Sequence, residues 1–166
     1  SDTAVQLMLA HVPRGPAWAL YAAMPGEADP ATLAELAEAA GHTTLYPRIE
    51  GADLVFAAAT RAELAARPAG GWGLREPEGP AVPLSTVSVV VVPGVAFDGR
   101  GGRLGYGKGY YDRAIARARQ APSPPLFVGL GLSLQLVDEV PMGTHDQRLD
   151  AVVTEAGWLS FRDPPV

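Results

Sequence analysis

Residues 97–112 read FDGRGGRLGYGKGYYD, and this stretch holds the densest glycine cluster of the chain together with its only lysine, Lys108. Apart from Lys108, arginine is used wherever the chain carries a lysine or an arginine. Glycine permits positive φ and lets backbone N–H groups approach a ligand closely, and a lysine ammonium binds phosphate as a point charge. The stretch therefore predicts a polyphosphate site with ATP as the expected ligand. The alternative is a glycine-rich surface turn.

Two known phosphate-binding motifs do not fit this stretch. Residues 102–108 match the first seven positions of a P-loop, but Gly109 stands where the Mg²⁺-binding Ser or Thr belongs. The dinucleotide motif G-x-G-x-x-G fails because Tyr110 stands where the third glycine belongs. We instead expect a concave loop whose backbone N–H groups hold phosphates, followed by a helix that begins near Tyr110 and favours anions at its N-terminus.

The segments around the glycine cluster alternate between strand and helix patterns. Val87–Val92 and Leu126–Leu132 are almost continuously apolar, as in strands buried on both faces of a parallel sheet. The pattern predicts an α/β fold, a single three-layer α/β/α domain over residues 1–166 with a mostly parallel sheet. The predicted strands are Ala17–Ala22, Thr43–Ile49, Leu54–Ala58, Val87–Val92, Leu126–Leu132 and Ala151–Thr154. The predicted helices are Ala31–Ala40 after Asp29-Pro30, a short one from the Thr60–Glu63 capping box to about Arg67, Tyr111–Arg119, and Ser133–Val137.

Two further segments carry no helix or strand pattern. Pro68–Pro83 is rich in glycine and proline and is expected to form a long ordered loop. Arg162–Val166 is expected to be a loose tail.

Composition narrows the functional classes. The chain has 166 residues and no cysteine, and the lack of cysteine excludes disulfides and thiolate metal sites. Its net charge of −5 argues against nucleic acid as the main partner. No apolar run approaches the roughly 20 residues that cross a bilayer. We expect a cytoplasmic enzyme with no nucleic-acid or membrane partner, present as a monomer or weak homodimer.

The glycine stretch resembles the signature of the 5-formyltetrahydrofolate cyclo-ligase family, also called 5,10-methenyltetrahydrofolate synthetases. The central resemblance consists of VPGVAFD at 92–98 and G-x-RLG-x-G-x-GYYD at 101–112. Weaker flanking segments keep the order of the family from about Ala17 to Glu155: YAAMPGE at 21–27, YPR at 46–48, WGLREP at 72–77, HDQRLD at 145–150 and VTE at 153–155.

The resemblance implies both a fold and an activity. The fold would be related to the ribose-5-phosphate isomerase and CoA-transferase group. The activity would be ATP-dependent ring closure of 5-formyltetrahydrofolate, with or without a polyglutamate tail, to 5,10-methenyltetrahydrofolate, with release of ADP and phosphate. ATP and Mg²⁺ are the implied cofactors.

The glycine loop supplies the candidates for nucleotide binding. Arg103 and Lys108 would offset phosphate charge, and the alternative for both is a surface ion pair. A Tyr-Tyr pair at a helix start is more often core, but the resemblance favours Tyr110 as a ligand-facing residue. It implies catalytic roles for Arg103, Lys108 and Tyr110. The implied nucleotide-binding residues are Arg103, Leu104, Gly105, Tyr106, Gly107, Lys108, Gly109, Tyr110 and Tyr111.

Mg²⁺ prefers one or two carboxylates together with phosphate oxygens and waters. The resemblance implies that Asp112 and Asp146 bind the metal. From the residues alone, Asp112 could instead cap a helix and Asp146 could belong to a turn. His145, beside Asp146, is either a general base or a structural histidine.

The folate substrate would bind to Met24, Glu27, Trp72 and Tyr110. Glu27 would accept hydrogen bonds from the pterin, with a plain loop glutamate as the alternative. Met24 and Trp72 would form apolar walls around the pterin, with core packing as the alternative.

One part of the family pattern is absent from this chain. The resemblance implies a basic N-terminal segment, whereas the sequence opens Ser1-Asp2-Thr3 and its first cation is Arg14. The lack of an initiator methionine favours a preceding stretch of protein. Two other functions stay open: a nucleotide-binding or regulatory module of the same fold without ligase turnover, and a sugar-phosphate isomerase with Asp146 as its base.

Overall fold

The computed structural model describes residues 2–12 and 15–161, and of Trp72 it describes the backbone alone. Arg14 and the predicted tail Arg162–Val166 lie outside these residues. The helices are α1 Asp2–His11, α2 Ala31–Ala39, α3 Arg61–Ala65 and α4 Tyr110–Ala118. The strands are β1 Ala17–Ala19, β2 Thr43–Glu50, β3 Asp53–Ala58, β4 Val89–Val92, β5 Ala96–Asp98, β6 Arg103–Leu104, β7 Leu126–Leu130, β8 Leu136–Val137, β9 Ala151–Thr154 and β10 Gly157–Ser160. None of the helices in these ranges is long and apolar enough to cross a membrane.

Seven strands of the described chain form one sheet in the order β10-β9-β7-β4-β1-β2-β3. The inner five strands run parallel, and the edge strands β3 and β10 are antiparallel to their neighbours. A smaller sheet has the order β6-β5-β8. The prediction of an α/β fold with a mostly parallel sheet is therefore confirmed.

The four valines of β4 show how the layers are assembled. All four are fully buried, and successive side chains point to opposite faces of the sheet. Val89 and Val91 belong to the core cluster that includes the buried residues of α1 and α2. Val90 and Val92 belong to the cluster that includes Ile115 of α4. Helices thus cover both faces, which explains why β4 is apolar throughout.

Phe97 of β5 packs the small sheet onto the large one. Its ring is fully buried and lies against the backbone of Gly94, Gly129 and Gly131. A Cβ added at these positions would come within 2.8, 2.7 and 2.9 Å of ring atoms, closer than carbon atoms pack. The three glycines therefore let β5, and the chain that follows it, approach the ends of β4 and β7.

Asp98 follows Phe97 and is a buried carboxylate. Its Oδ1 accepts hydrogen bonds from the backbone N–H of Arg100 at 2.9 Å and of Gly102 at 2.8 Å, and its Oδ2 accepts one from Val140 at 2.8 Å. Burial raises the pKa of Asp98, but these three hydrogen bonds and the charge of Arg148 outweigh it and hold the pKa below its ordinary value. The carboxylate joins the turn before the glycine loop to the segment at 140.

The Thr60–Glu63 capping box was predicted correctly, Pro30 is the N-cap residue of α2 rather than its first helical residue, and one predicted helix is wrong. The Asp29 carboxylate accepts a hydrogen bond from the N–H of Ala31, and Thr60 with Glu63 forms the predicted capping box. The predicted helix Ser133–Val137 is wrong, because a 3₁₀ turn at Ser133–Gln135 leads directly into β8. Pairing of β8 with β5 forces these residues into an extended conformation. Helix α1 and strands β5, β6, β8 and β10 were not predicted.

The segment predicted as a long loop, Pro68–Pro83, contains a single 3₁₀ turn at Gly71–Gly73. Its far end is held by Arg48 of β2, whose Nη1 donates to the carbonyls of Pro77 and Gly79, both at 2.9 Å. These contacts explain how a segment without periodic apolar residues stays ordered.

Candidate functional site

The chain segments after β1 and β4 leave the sheet at its topological switch point. β1 pairs in parallel with β2 on one side and with β4 on the other. The chain runs outward from β1 to β2 and, in the opposite direction, from β4 to β7. A crevice therefore opens at the carboxyl ends of β1 and β4, where open α/β sheets bind ligands. The loop after β1 carries Met24 and Glu27, and the chain after β4 leads to the glycine loop, residues 99–109.

A cavity of about 370 Å³ opens at this point. Its walls come from the loop after β1, the β2–β3 hairpin, residues 74–76, the glycine loop and the first turn of α4, with Pro141 and Asp146 opposite. The cavity brings together these predicted site residues: Met24, Glu27, Arg103, Leu104, Gly105, Tyr106, Gly107, Lys108, Gly109, Tyr110, Tyr111, Asp112 and Asp146. The side chain of Trp72 lies outside the described residues.

Two glycines shape the loop and start α4. Gly107 and Gly109 have φ of +89° and +70°, values that side-chain-bearing residues rarely adopt. Gly109 is the N-cap residue, so α4 begins at Tyr110 as expected and its first N–H groups have no partner within the helix. Lys108 is exposed immediately before this positive helix end. The arrangement favours an anion at the mouth of the cavity.

Arg103 is a buried cation in the cavity wall. Its side chain is 6% exposed, its Nη1 donates to the carbonyl of Pro93 at 3.1 Å, and its Nη2 lies 3.8 Å from Asp112 Oδ2. The guanidinium also lies over the Tyr111 ring, 5.5 Å from its centroid. The alternative of a surface ion pair does not apply to Arg103, because its ion pair with Asp112 is buried.

Two polar atoms of this wall are buried without a hydrogen-bond partner in the described part of the chain: Nε of Arg103 and the hydroxyl of Tyr111. Burial raises the pKa of Tyr111, so the hydroxyl is a neutral donor at neutral pH. A buried donor left unpaired costs about 1–3 kcal/mol. The wall is therefore suited to a ligand that brings hydrogen-bond acceptors, such as phosphate or carbonyl oxygens.

The two predicted metal carboxylates line the same cavity, and each holds a backbone group. Asp112 Oδ1 accepts from the N–H of Gln147 at 2.9 Å, and Asp146 Oδ2 accepts from the N–H of Gly143 at 2.7 Å. Asp112 therefore does not cap α4. Within residues 2–12 and 15–161, no group of three or more His, Asp or Glu side chains could hold a metal ion. The donor set suits Mg²⁺ only if phosphate oxygens and waters complete its coordination.

Glu27 connects the loop after β1 to the glycine loop. Its Oε2 accepts from the N–H of Met24 at 2.9 Å, and its Oε1 accepts from the hydroxyl of Tyr106 at 3.1 Å. Desolvation, the Glu27 charge and this hydrogen bond raise the pKa of Tyr106. The sequence indicated that Glu27 and the glycine loop follow different strands, which is correct. It did not predict that the two loops touch.

The other cavity residues were not assigned individual roles from the sequence, and Tyr21, Tyr46 and Glu76 are among them. The Tyr21 hydroxyl donates to the carbonyl of Ala28 and closes the loop that carries Glu27. Burial raises the pKa of Tyr21 and raises that of Tyr46 to about 12. Glu76 accepts from the N–H of Ile49 at 2.7 Å. Only the strand order, which places β1 beside β2, could have indicated that these side chains share one cavity.

This chain belongs to the 5-formyltetrahydrofolate cyclo-ligase family, whose model matches residues 7–155. A probable 5-formyltetrahydrofolate cyclo-ligase of Schizosaccharomyces pombe is 39% identical over 95 aligned residues, and the match covers 50% of this chain and 47% of the relative. The 5-formyltetrahydrofolate cyclo-ligase of Saccharomyces cerevisiae is 39% identical over 98 aligned residues, and the match covers 57% of this chain and 46% of the relative. The matches thus span about half the length of these relatives.

The fold is also similar to that of a solved structure from this family. The NMR structure of 5,10-methenyltetrahydrofolate synthetase from Aquifex aeolicus superposes with a TM-score of 0.79 at 30% sequence identity. The superposition covers 99% of this chain and 82% of that structure. Similarity therefore extends over the whole sheet and the loops that form the cavity.

Proposed function

We propose that this chain catalyses the ATP-dependent ring closure of 5-formyltetrahydrofolate to 5,10-methenyltetrahydrofolate. In this reaction the formyl oxygen takes the γ-phosphoryl group of ATP and ADP leaves. The neighbouring amine nitrogen then attacks the formyl carbon, and phosphate is released with the formyl oxygen. The observation that carries the proposal is the single cavity in which the glycine loop and the Glu27 loop meet.

The glycine-loop half of the cavity would hold the nucleotide. Lys108 and the first N–H groups of α4 would receive phosphate oxygens, since both favour negative charge. Nε of Arg103 and the hydroxyl of Tyr111 would find acceptors in the group that is transferred. Ring closure of this kind depends on alignment and charge neutralisation more than on a strong base.

Asp112 and Asp146 would hold a Mg²⁺ ion shared with the phosphates. A bound Mg²⁺ would neutralise phosphate charge. Each carboxylate has one oxygen engaged with a backbone N–H, which fixes its orientation.

The Glu27 half of the cavity would hold the pterin of the folate. The Met24 N–H and the Tyr106 hydroxyl donate to the Glu27 carboxylate and orient it. Each carboxylate oxygen can accept a further hydrogen bond, so two adjacent N–H donors of a flat heterocycle could bind in parallel. Met24 and Tyr21 would cover the faces of the ring.

The proposal is tested by incubating the protein with 5-formyltetrahydrofolate, Mg²⁺ and ATP and following the absorbance of the methenyl product. We expect an increase that requires ATP and stops when a non-hydrolysable analogue replaces it. Binding of ATP without any product would instead favour a nucleotide-binding module without turnover. Failure to bind either ligand would contradict the proposal.

Asp112→Asn is expected to raise the Mg²⁺ concentration for half-maximal turnover by roughly 5- to 10-fold, since a neutral amide loses about 1–1.5 kcal/mol of charge-assisted interaction. Asp146→Asn is expected to have a smaller effect in the same direction. Asp138→Asn is the matched control, because Asp138 is exposed and is not among the cavity residues. If all three variants keep the Mg²⁺ dependence of the wild type, the two-carboxylate site is wrong.

Glu27→Gln is expected to weaken binding of 5-formyltetrahydrofolate by roughly 5- to 30-fold, because the amide places an NH₂ group against a donor of the pterin, at a cost of about 1–2 kcal/mol. ATP affinity should change by less than about threefold, because Glu27 lies on the loop after β1, whereas Lys108 and the N-terminus of α4 belong to the other half of the cavity. Calorimetric titration of both ligands checks this, with the exposed Glu139→Gln as control. Loss of ATP affinity with folate binding intact would mean that the two halves are reversed.

A further inference from the structure

The hydrogen bond between Tyr106 and Glu27 joins residues that are 79 positions apart and that belong to different halves of the cavity. Tyr106 is 59% exposed, so its ring contributes little to the core. Its hydroxyl is nevertheless within 3.1 Å of Glu27 Oε1. This side-chain contact ties the tip of the glycine loop to the loop after β1.

Besides the bond to Glu27, the tip is held by a side-chain hydrogen bond from Arg113 Nη1 to the carbonyl of Lys108 at 2.9 Å. Gly105 and Gly107 flank Tyr106, and a Cβ added at Gly107 would meet nothing within 4 Å. Lys108, Tyr106 and Gly107 are all exposed. A glycine-flanked exposed tip has high conformational freedom, so a single hydrogen bond can change its population strongly.

Glu27 is held firmly on its own side. The N–H of Met24 donates to Oε2, and the Tyr21 hydroxyl closes the same loop on the carbonyl of Ala28. The carboxylate is therefore a fixed anchor, and the Tyr106 hydroxyl is the mobile partner of the pair.

We propose that Tyr106 is a positioning residue that latches the glycine loop onto Glu27 and so couples the two halves of the cavity. The latch itself follows from the contact, whereas the identity of the coupled ligands, ATP and 5-formyltetrahydrofolate, rests on the proposed function. A nucleotide that orders the glycine loop also holds the Tyr106 hydroxyl on the fixed Glu27 carboxylate, which brings the two halves of the cavity together around the substrate. Binding of each ligand then strengthens binding of the other, as thermodynamic linkage requires.

The only lysine of the chain gives a ligand-free test. An endoproteinase specific for lysine can cleave this sequence only after Lys108, two residues from the latch. When opening and closing are fast, the cleavage rate follows the population of the open loop. We expect Tyr106→Phe to be cleaved about 3- to 10-fold faster than wild type, the factor a net hydrogen bond contributes. Tyr110→Phe, which loses a hydroxyl from the same segment, should be cleaved at the wild-type rate.

A double-variant cycle separates the latch from a general loosening of the loop. In a Glu27→Ala background, adding Tyr106→Phe should leave the cleavage rate unchanged, because the partner of the hydroxyl is already gone. Equal acceleration in both backgrounds, or none in either, would overturn the latch. Circular dichroism and thermal unfolding of each variant establish that the fold is retained.

The coupling is measured with ligands. The dissociation constant of 5-formyltetrahydrofolate should fall about 3- to 10-fold when a non-hydrolysable ATP analogue is present, and by less than about twofold in Tyr106→Phe. Coupling that persists in Tyr106→Phe, or that is missing from the wild type, would overturn the inference. If neither ligand binds, the proposed function fails, and the proteolysis alone still decides the latch.

Discussion

Replacing Lys108 by alanine is expected to weaken ATP binding by roughly 10- to 150-fold. A charge-assisted hydrogen bond contributes about 1.5–3 kcal/mol, and 1.4 kcal/mol is a factor of ten in affinity. Two cations of the glycine loop line the cavity, Arg103 and Lys108, and Lys108 is the exposed one. It lies next to the positive end of α4. Arg103 cannot replace it, because its guanidinium is buried against Pro93 and Asp112.

Calorimetric titration with ATP and Mg²⁺ measures this effect. Arg100→Ala is the matched control, because Arg100 is an exposed cation of the same loop and is not among the cavity residues. The thermal midpoint of Lys108→Ala should equal that of the wild type, since the side chain is exposed. An ATP affinity within about twofold of wild type would contradict the assignment of the loop to phosphates.

Asp98→Asn is expected to lower the free energy of unfolding by roughly 2–4 kcal/mol at neutral pH. The carboxylate accepts three backbone hydrogen bonds, and its residue is 2% exposed. An amide can accept at one atom only, so its NH₂ group would face the N–H of either Val140 or the turn at 100–102. The hydrogen bonds from Gly102 and Val140 are buried, so water does not readily replace the acceptor that these N–H groups lose.

The destabilisation should depend on pH. The folded pKa of Asp98 lies below its ordinary value, so its ionised form stabilises the fold. That contribution is fully present above the unfolded pKa of about 3.9 and is lost as pH falls through the folded pKa. Urea unfolding from pH 7 to pH 3 should therefore show a gap between wild type and Asp98→Asn that narrows below about pH 4. A gap that stays constant over this range, with the exposed Asp138→Asn as reference, would show that ionisation of Asp98 does not matter.

The large sheet was predictable because its strands are buried on both faces. Val87–Val92 and Leu126–Leu132 were predicted as strands, and β4 and β7 lie within them. The short strands were not, because β6 and β8 are two residues each and exist only through pairing with β5. Helix α1 was missed although its buried residues Ala4, Val5 and Met8 have helical spacing, because the apolar Leu7 and Leu9 between and beyond them obscure the stripe in the sequence.

The residues of the candidate site could be predicted, but their pairing could not. The resemblance supplied Glu27, Arg103 and Asp112 as separate positions. The contacts of Glu27 with Tyr106 and of Asp112 with Gln147 cross 79 and 35 positions of sequence. Such contacts depend on the strand order, which no local pattern encodes.

Phe97 packs apart from the cavity walls, so the walls can be varied to alter which ligand binds. Its ring rests on main-chain atoms of Gly94, Gly129 and Gly131, and these cannot repack when neighbouring side chains are exchanged. Libraries that vary the cavity walls at Tyr46 and Leu54 will therefore sample new cavity shapes while the packing of Phe97, which does not line the cavity, is kept. Substitution of any of the three glycines, by contrast, will displace Phe97 and with it β5 and the glycine loop that follows.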